Sequence, residues 1–218
     1  MPIFMLYALI LAIFRSRRVS VSALEAETNE VLMQRFQRGD ERAFEVLMRR
    51  LEGPLLGYIL RLVLREDVAQ DILQDTLLRV IRNAQTYQPT AKVSTWVYTI
   101  ARNLCLDRYR RQRVRREESL DAELFGEEGL SLHNVLHDPD ERDPSEQVAG
   151  ERFMEKLAAA LERLNPDQRD VFVLREVQGY KFTEIAELVG ESENTVKSRM
   201  RYALQTLQRL LASEKGGV

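Results

Sequence analysis

The chain has 218 residues, of which 44% are hydrophobic and 30% charged, a length that suits one large domain or two small ones. Its net charge of −2 excludes a uniformly basic surface, and its single cysteine, Cys105, excludes an internal disulfide and a multi-cysteine zinc site. Apolar residues recur at three- and four-residue intervals, without strand-like alternation, which predicts an all-α fold of two small helical domains.

Residues 1–29 form an N-terminal extension with an almost unbroken apolar run at residues 3–14, followed by three arginines. A transmembrane helix needs about 20 apolar residues, and a signal peptide carries its positive charge before the apolar run. A short membrane-surface anchor, a flexible extension and upstream sequence before a true start at Val19 or Val21 remain open. We favour the last two.

Two amphipathic helices are predicted before residue 65. Thr28 or Asn29 can cap the first helix, which ends at Gly39, and Asp40 can cap the second. Gly53-Pro54 predicts a break in the second helix, because proline lacks the backbone N–H that continues the helical hydrogen bonds.

A third predicted helix, from Glu66 to Ala84, has an apolar stripe for the core and a mainly acidic opposite face. Spacing alone leaves two interpretations of that face, a solvated surface and a contact surface. Its members are spaced at i, i+3, i+4 and i+7, and they are Asp71, Gln74, Asp75 and Leu78.

After a loop at residues 85–93, Ser94 can cap a helix that carries Cys105 at a core position and ends in a basic segment. Residues 99–116 hold seven arginines against one acid. Aromatic rings beside arginines suit unpaired bases, because rings stack on bases while arginine neutralises phosphate. Core packing of Trp96 and pairing of arginines with the helix dipole are the alternatives. The candidate contacts are Trp96, Tyr98, Arg102, Asn103, Arg108, Arg110 and Arg111.

Residues 114–148 predict a flexible acidic linker, because residues 117–147 hold eleven acids and one arginine without a sustained helical period. His133 and His137 lie four residues apart in this segment, but their polar surroundings favour a solvated linker over a metal site. We therefore predict no metal site.

A second helical domain is predicted over residues 149–213. Asn165 is predicted to cap a helix whose first residue is Pro166 and which ends before Gly179.

Residues 183–209 predict a helix-turn-helix. Thr183 can cap a short helix that ends at Gly190, and Ala186 provides the small side chain needed where two helices cross steeply. The second helix has a predicted buried stripe of Val196, Met200, Ala203, Leu204 and Leu207. Its exposed N-terminal side suits hydrogen bonding to base edges and phosphates in a major groove, and comprises Asn194, Thr195, Lys197, Ser198 and Arg201.

Four segments in this order resemble the sigma-70 family of bacterial RNA polymerase initiation factors, specifically its extracytoplasmic-function group. They span most of residues 30–211 and read GDERAFEVLMRR (39–50), DILQDTLLRV (71–80), STWVYTIARNLCLDRYRR (94–111) and VFVLREVQGYKFTEIAELVGESENTVKSRMRYALQTLQ (171–208). The resemblance implies that residues 30–113 bind core polymerase and the minus-10 element and assist strand opening. It implies that residues 149–213 bind the minus-35 element. Residues 1–29 have no counterpart in the family pattern.

The resemblance also implies roles for the candidate residues. The acidic face at residues 71–78 matches the surface that docks on the coiled coil of the polymerase's largest subunit. The loop at 87–95 and Asn103 match the place where related factors receive a flipped minus-10 base, with the following arginines on phosphate. Base-reading positions match Asn194, Lys197, Ser198 and Arg201, and phosphate contacts match Thr195 and Tyr202.

The implied partners are core RNA polymerase, through the coiled coil and the flap, promoter DNA and an anti-sigma factor. We expect a binding protein with no catalytic residue, cofactor or small-molecule substrate, acting in the cytoplasm on the nucleoid or held at the inner membrane by the anti-sigma factor. A stand-alone DNA-binding regulator and a membrane-attached adaptor using residues 3–18 are the competing interpretations. Run-off transcription with core polymerase distinguishes them.

Overall fold

The computed structural model describes residues 21–118 and 156–213, with the side chains of 21, 22, 112–118 and 213 left aside. The apolar run at residues 3–14, most of the predicted linker, His133 and His137 lie outside the described residues. The described residues form helices and turns without a strand, so the predicted all-α fold is confirmed.

The N-terminal domain is built around one long central helix. Its elements in chain order are α1 (Val21–Glu25), α2 (Asn29–Gln37), α3 (Glu41–Val63), α4 (Glu66–Asn83), a 3₁₀ turn (Ala84–Thr86) and α5 (Val93–Glu118). Helix α3 contacts α1, α2, α4 and α5. The fully buried core residues include Leu47, Leu55, Tyr58, Ile59 and Val97.

The C-terminal domain packs shorter helices against one long helix. Its elements are α6 (156–162), α7 (Pro166–Phe172), a π turn (Val173–Val177), α8 (Phe182–Val189) and α9 (Glu193–Ser213). Helix α9 contacts both α7 and α8. Two buried residues of α9, Val196 and Ala203, belong to the core of the domain together with Ile185 of α8.

Of the helix caps predicted at Thr28, Asp40 and Asn165, two are confirmed and one is wrong. The Thr28 hydroxyl accepts the Val31 N–H at 3.3 Å, and the Asn165 amide oxygen accepts the Asp167 N–H at 3.0 Å. Asp40 stands at the cap position of α3, but its carboxylate pairs with Arg35 at 2.8 Å instead of capping the helix. A charged partner within reach therefore outcompetes the backbone N–H groups.

The break predicted at Gly53-Pro54 is also wrong, because α3 continues through Pro54. Proline removes one backbone donor, but Leu51 and Leu55 on either side are buried, so tertiary packing carries the helix through. The helix ends at Val63, and Leu64 after it adopts a left-handed φ of 59° while its N–H donates to the Leu60 carbonyl at 2.8 Å.

Helix α1 is packed on the N-terminal domain. Leu24 is 0% exposed. The Arg50 guanidinium of α3 donates to the carbonyls of Glu25 and Glu27 at 2.7 Å each and so satisfies acceptors at the end of α1. The packed domain thus includes residues that precede position 30, the predicted boundary.

Candidate nucleic-acid interface

The acidic face of α4 lies on the surface of the N-terminal domain. Asp71 and Asp75 are exposed, and Gln74 and Leu78 are half-buried. The opposite side of α4, which includes Ile72 and Leu73, is buried in the core. The four candidate residues therefore share one accessible face, which we call the docking face after its predicted role.

A groove of about 290 Å³ joins the docking face to helix α5. Asp71, Gln74 and Asp75 line its α4 side, and Arg108 and Arg111 line its α5 side. The acidic face and the basic end of α5 are therefore adjacent surfaces, a proximity that the sequence pattern does not reveal.

The loop before α5 is held by side chains of α2. The Gln37 amide donates to the carbonyls of Ala84 and Tyr87 at 2.8 and 2.9 Å. Tyr87 packs its ring 5.2 Å from Trp96 and donates its hydroxyl to the Ala91 carbonyl at 2.6 Å. Sequence reasoning missed this anchor, because hydrogen bonds between distant segments leave no periodic signal.

The cap predicted at Ser94 is wrong, since α5 begins at Val93. The Glu30 carboxylate of α2 accepts the backbone N–H of Val93 at 3.1 Å, and the backbone N–H of Trp96 donates to the Lys92 carbonyl. An acid from another helix thus satisfies a free donor at the start of α5.

Helix α5 presents part of the predicted minus-10 set to solvent. Trp96, Asn103 and Arg110 are seven residues apart and share one face, because seven residues make nearly two helical turns. Asn103 and Arg110 are exposed, and Trp96 is half-buried. Arg108 and Arg111, at the groove, are also exposed.

The structure does not bring Tyr98 and Arg102 together with the other five minus-10 candidates. Both side chains are buried, at 3% and 8% exposure. They are four residues apart on the side of α5 that meets the C-terminal domain, where Tyr98 donates to the Gln178 side chain at 2.7 Å and Arg102 pairs with Asp170. In this conformation neither side chain is accessible to DNA.

The helix-turn-helix geometry of α8 and α9 follows the predicted turn. Gly190 adopts a left-handed φ of 71° and donates its N–H to the Ala186 carbonyl at 2.9 Å. Ser192 caps α9 by accepting the Thr195 N–H at 3.1 Å. The cap predicted at Thr183 is wrong, because α8 begins at Phe182 and the Glu184 carboxylate accepts the preceding Lys181 N–H.

The N-terminal face of α9 is polar and accessible. Lys197 pairs with Glu193 at 2.6 Å, but exposed pairs contribute only about 0–1 kcal/mol, so Lys197 is readily released to another anion. The Arg201 guanidinium lies 5.1 Å from the centre of the Tyr202 ring. Most of the predicted minus-35 set is exposed, namely Asn194, Lys197, Ser198, Arg201 and Tyr202, while Thr195 is half-buried.

Leu204 does not belong to the buried stripe of α9, contrary to the prediction. It is 47% exposed, because it lies off the line that Val196, Met200 and Leu207 define on the helix.

Arg199 links the second helix to the rest of the C-terminal domain. Its guanidinium lies 2.9 Å from the Glu191 carboxylate in the turn and 3.7 Å from the Asp167 carboxylate of α7. Sequence reasoning missed Arg199, since it resembles any other cation of a polar helix face.

Comparisons with known proteins agree with this architecture. The family model of Sigma-70 region 2 matches residues 47–115, and that of Sigma-70, region 4 matches residues 154–207. The RNA polymerase sigma factor CarQ of Myxococcus xanthus is 34% identical over 179 residues, which cover 82% of this chain and 95% of CarQ. The ECF RNA polymerase sigma factor SigM of Mycobacterium tuberculosis is 32% identical over 191 residues, covering 88% of each chain.

The chain belongs to the sigma-70 family, in its extracytoplasmic-function group. This sigma factor therefore acts in promoter-specific transcription initiation by RNA polymerase, as a regulatory protein. The predicted family is confirmed, and the stand-alone regulator is set aside.

Solved structures agree with the fold of the sigma factor. CnrH, in complex with the cytosolic domain of CnrY, superimposes with a TM-score of 0.62 at 23% identity, covering 86% of this chain and 99% of CnrH. The sigma factor RpoE, in complex with the anti-sigma factor NepR from Bartonella quintana, gives a TM-score of 0.61 at 23% identity, over 78% and 96% of the two chains.

No helix within residues 21–118 and 156–213 of the sigma factor combines the length and the apolar composition that crossing a membrane requires. The same ranges contain no group of three or more acidic, histidine or cysteine side chains placed to hold a metal ion.

Proposed function

We propose that the sigma factor reads the minus-35 element with the exposed N-terminal face of α9. The observation that carries this proposal is the division of α9 into a buried apolar side and an accessible polar side. Asn and Arg side chains can each form two hydrogen bonds with one base edge. Asn194, Lys197, Ser198 and Arg201 are the proposed base contacts, and Thr195 and Tyr202 the proposed phosphate contacts.

The minus-10 element is proposed to bind along α5. The half-buried Trp96 and the exposed Asn103 and Arg110 share a face on which an unpaired base can stack and hydrogen-bond. Arg108 and Arg111 add positive charge beside it. Tyr98 and Arg102 belong to the proposed contact only after the two domains separate.

Core polymerase is proposed to bind the docking face at Asp71, Gln74, Asp75 and Leu78, with the polymerase flap on the C-terminal domain. The adjoining arginines of α5 support this assignment, since a docked polymerase would then lie beside the DNA that α5 contacts. The proposed domain limits are 30–113 and 149–213, extended by α1 and by the end of α5.

We also propose that an anti-sigma factor holds this chain. The relatives CnrH and RpoE were each solved with a partner, the cytosolic domain of CnrY and the anti-sigma factor NepR. The proposed site of action is the cytoplasm, on the nucleoid, with capture at the inner membrane by such a partner. The factor itself is proposed to carry out no covalent chemistry.

The first test measures base readout with holoenzyme on promoter DNA and on random DNA. Arg201→Ala should reduce discrimination for the minus-35 element about 5- to 150-fold, because one good base contact contributes about 1–3 kcal/mol of discrimination. Arg209→Ala, at an exposed position nearer the end of α9, is the matched control. Equal losses on both DNAs would argue against base readout.

The second test measures docking by pull-down of purified core polymerase. Asp75→Arg should abolish binding, since it places a cation at the centre of the acidic face. Glu187→Arg makes a similar charge change at an exposed residue of α8 and should leave binding unchanged. Retained binding by Asp75→Arg, with an unchanged circular dichroism spectrum, would remove the docking assignment.

A further inference from the structure

A buried carboxylate joins the two domains of the sigma factor. Asp170 of α7 is 1% exposed, and both of its oxygens are used by the N-terminal domain. Tyr58 of α3 donates its hydroxyl to one oxygen at 2.7 Å, and Arg102 of α5 donates its Nε to the other. The three side chains bring α3, α5 and α7 to one point.

Further polar contacts surround this point. Gln178, after the π turn, accepts the Tyr98 hydroxyl at 2.7 Å and donates to the Pro54 carbonyl at 3.4 Å. The Tyr98 ring lies between the rings of Tyr58, at 5.0 Å, and Tyr180, at 5.6 Å. At the edge of the interface, Lys92 pairs with Glu184 at 2.6 Å.

The chemistry of this interface is that of a reversible contact. Burial raises the pKa of the Asp170 carboxyl, whereas Arg102 and Tyr58 act in the opposite direction. A buried charge is tolerated only while it is paired, and water can replace both partners once the domains separate. Contacts between domains of one chain are in general more polar than permanent interfaces, so separation is the default expectation.

The closed arrangement covers only some of the functional surfaces. Tyr98 and Arg102 are buried in it, whereas Asp71 and Asp75 of the docking face remain exposed. A closed factor can therefore meet polymerase before all of its minus-10 residues are free.

We propose that Asp170 is a latch that holds the sigma factor closed by occupying Arg102, and that release of this latch exposes Tyr98 and Arg102, the part of the minus-10 set that the closed form buries. The consequence for DNA, though not the latch itself, rests on the proposed function of Tyr98 and Arg102. The apparent affinity of the free factor for DNA is then the affinity of the open form multiplied by the fraction of molecules that are open. Any partner that binds the open form better shifts the population towards it.

Asp170→Asn in the full chain tests the latch. The amide is close in size to the carboxylate but carries no charge, and it offers Arg102 and Tyr58 one acceptor in place of two. Asp67→Asn makes the same chemical change at a carboxylate that is 63% exposed and pairs with Arg65, and it serves as the matched control.

Two measurements on the free factor decide the outcome. Small-angle X-ray scattering should show a larger radius of gyration for Asp170→Asn than for the wild type and the control. Affinity for a fluorescent single-stranded oligonucleotide of the minus-10 non-template strand should rise at least about tenfold, because a larger fraction of the molecules is open. Pull-down of core polymerase should not change.

Gln178→Ala is the second test variant, to be used if Asp170→Asn loses its helical circular dichroism signal and so fails to fold. It removes the acceptor of the Tyr98 hydroxyl at a half-buried position and should shift both measurements in the same direction by a smaller amount. Folded variants with an unchanged radius of gyration would overturn the latch. Expansion without a gain in oligonucleotide affinity would overturn the masking of the minus-10 surface while leaving the closed state in place.

Run-off transcription distinguishes failure of the latch from failure of the proposed function. If the wild type initiates from its promoter while the variants remain compact, the latch is wrong and the proposed function stands. If the variants expand without any gain in oligonucleotide affinity or in initiation, the latch stands and the proposed contact of Tyr98 and Arg102 with DNA is wrong.

Discussion

Replacing Arg169 by methionine removes a buried guanidinium that donates to the ends of two helices. Its Nε donates to the Leu161 carbonyl and one terminal nitrogen donates to that of Glu162, each at 2.8 Å, at the end of α6. The other terminal nitrogen donates to the Leu62 carbonyl of α3, also at 2.8 Å. Carbonyls in the last turn of a helix have no partner within the helix, so Arg169 supplies donors to acceptors that need them.

The expected loss is about 3 kcal/mol of unfolding free energy. The Leu161 carbonyl keeps the Leu164 backbone N–H as a donor at 3.1 Å, whereas the buried Leu164 carbonyl loses its bond to Arg169, and a buried carbonyl left without a donor costs about 1–3 kcal/mol. Loss of the partly buried bonds to Leu62 and Glu162 adds to that cost. Part of that loss is offset, because burial lowers the pKa of Arg169 and methionine removes the desolvation cost behind that shift. Methionine retains most of the apolar volume.

Urea unfolding followed by far-UV circular dichroism measures this loss, with Arg163→Met at an exposed position of the same region as control. Fluorescence of Trp96, the single tryptophan, reports the N-terminal domain and should shift less than the dichroism signal. A loss of about 0.5 kcal/mol or less, the usual range for a surface substitution, would refute the reasoning.

Two further predictions concern buried residues of the N-terminal domain. Leu24→Ala should lower the unfolding free energy by about 2–4 kcal/mol in the same urea assay, because Leu24 is fully buried; a loss under about 1 kcal/mol would mean that α1 does not pack on the domain in solution. Cys105 should resist iodoacetamide in the native protein and react after unfolding, as followed by mass spectrometry, because burial raises the pKa of its thiol and only the thiolate is nucleophilic. Rapid modification of the native protein would contradict this.

Local signals in the sequence predicted the helices and several of their ends. Thr28, Asn165 and Gly190 act within a few residues of themselves, so their roles are readable from spacing. The prediction failed at Asp40 because its carboxylate pairs with Arg35. The predictions failed at Ser94 and Thr183 because carboxylates of other residues accept the backbone N–H groups there. Glu30 reaches the start of α5 from 63 residues away, and no local pattern encodes that contact.

The exposure of candidate residues was predicted correctly only where the apolar and polar sides of a single helix determine it. The docking face and the start of α9 were readable, since one side of each helix is apolar. Asp170 was not identified, because an acid beside Val171 and Phe172 is expected at the surface unless its buried partners are known. Two polar partners from another domain make its burial tolerable, and only the tertiary structure shows them.

The arrangement of α5 constrains how the seven proposed minus-10 residues can act. Trp96, Asn103 and Arg110 lie on one face, whereas Tyr98 and Arg102 lie on the side that meets α7. A single strand that follows the first face reaches the second only by crossing the helix. Separation of the domains is therefore necessary for contact by all seven residues but not sufficient, and the path of the strand must also change direction near Asn103. Otherwise Tyr98 and Arg102 serve to position α5 while the exposed face alone receives the bases.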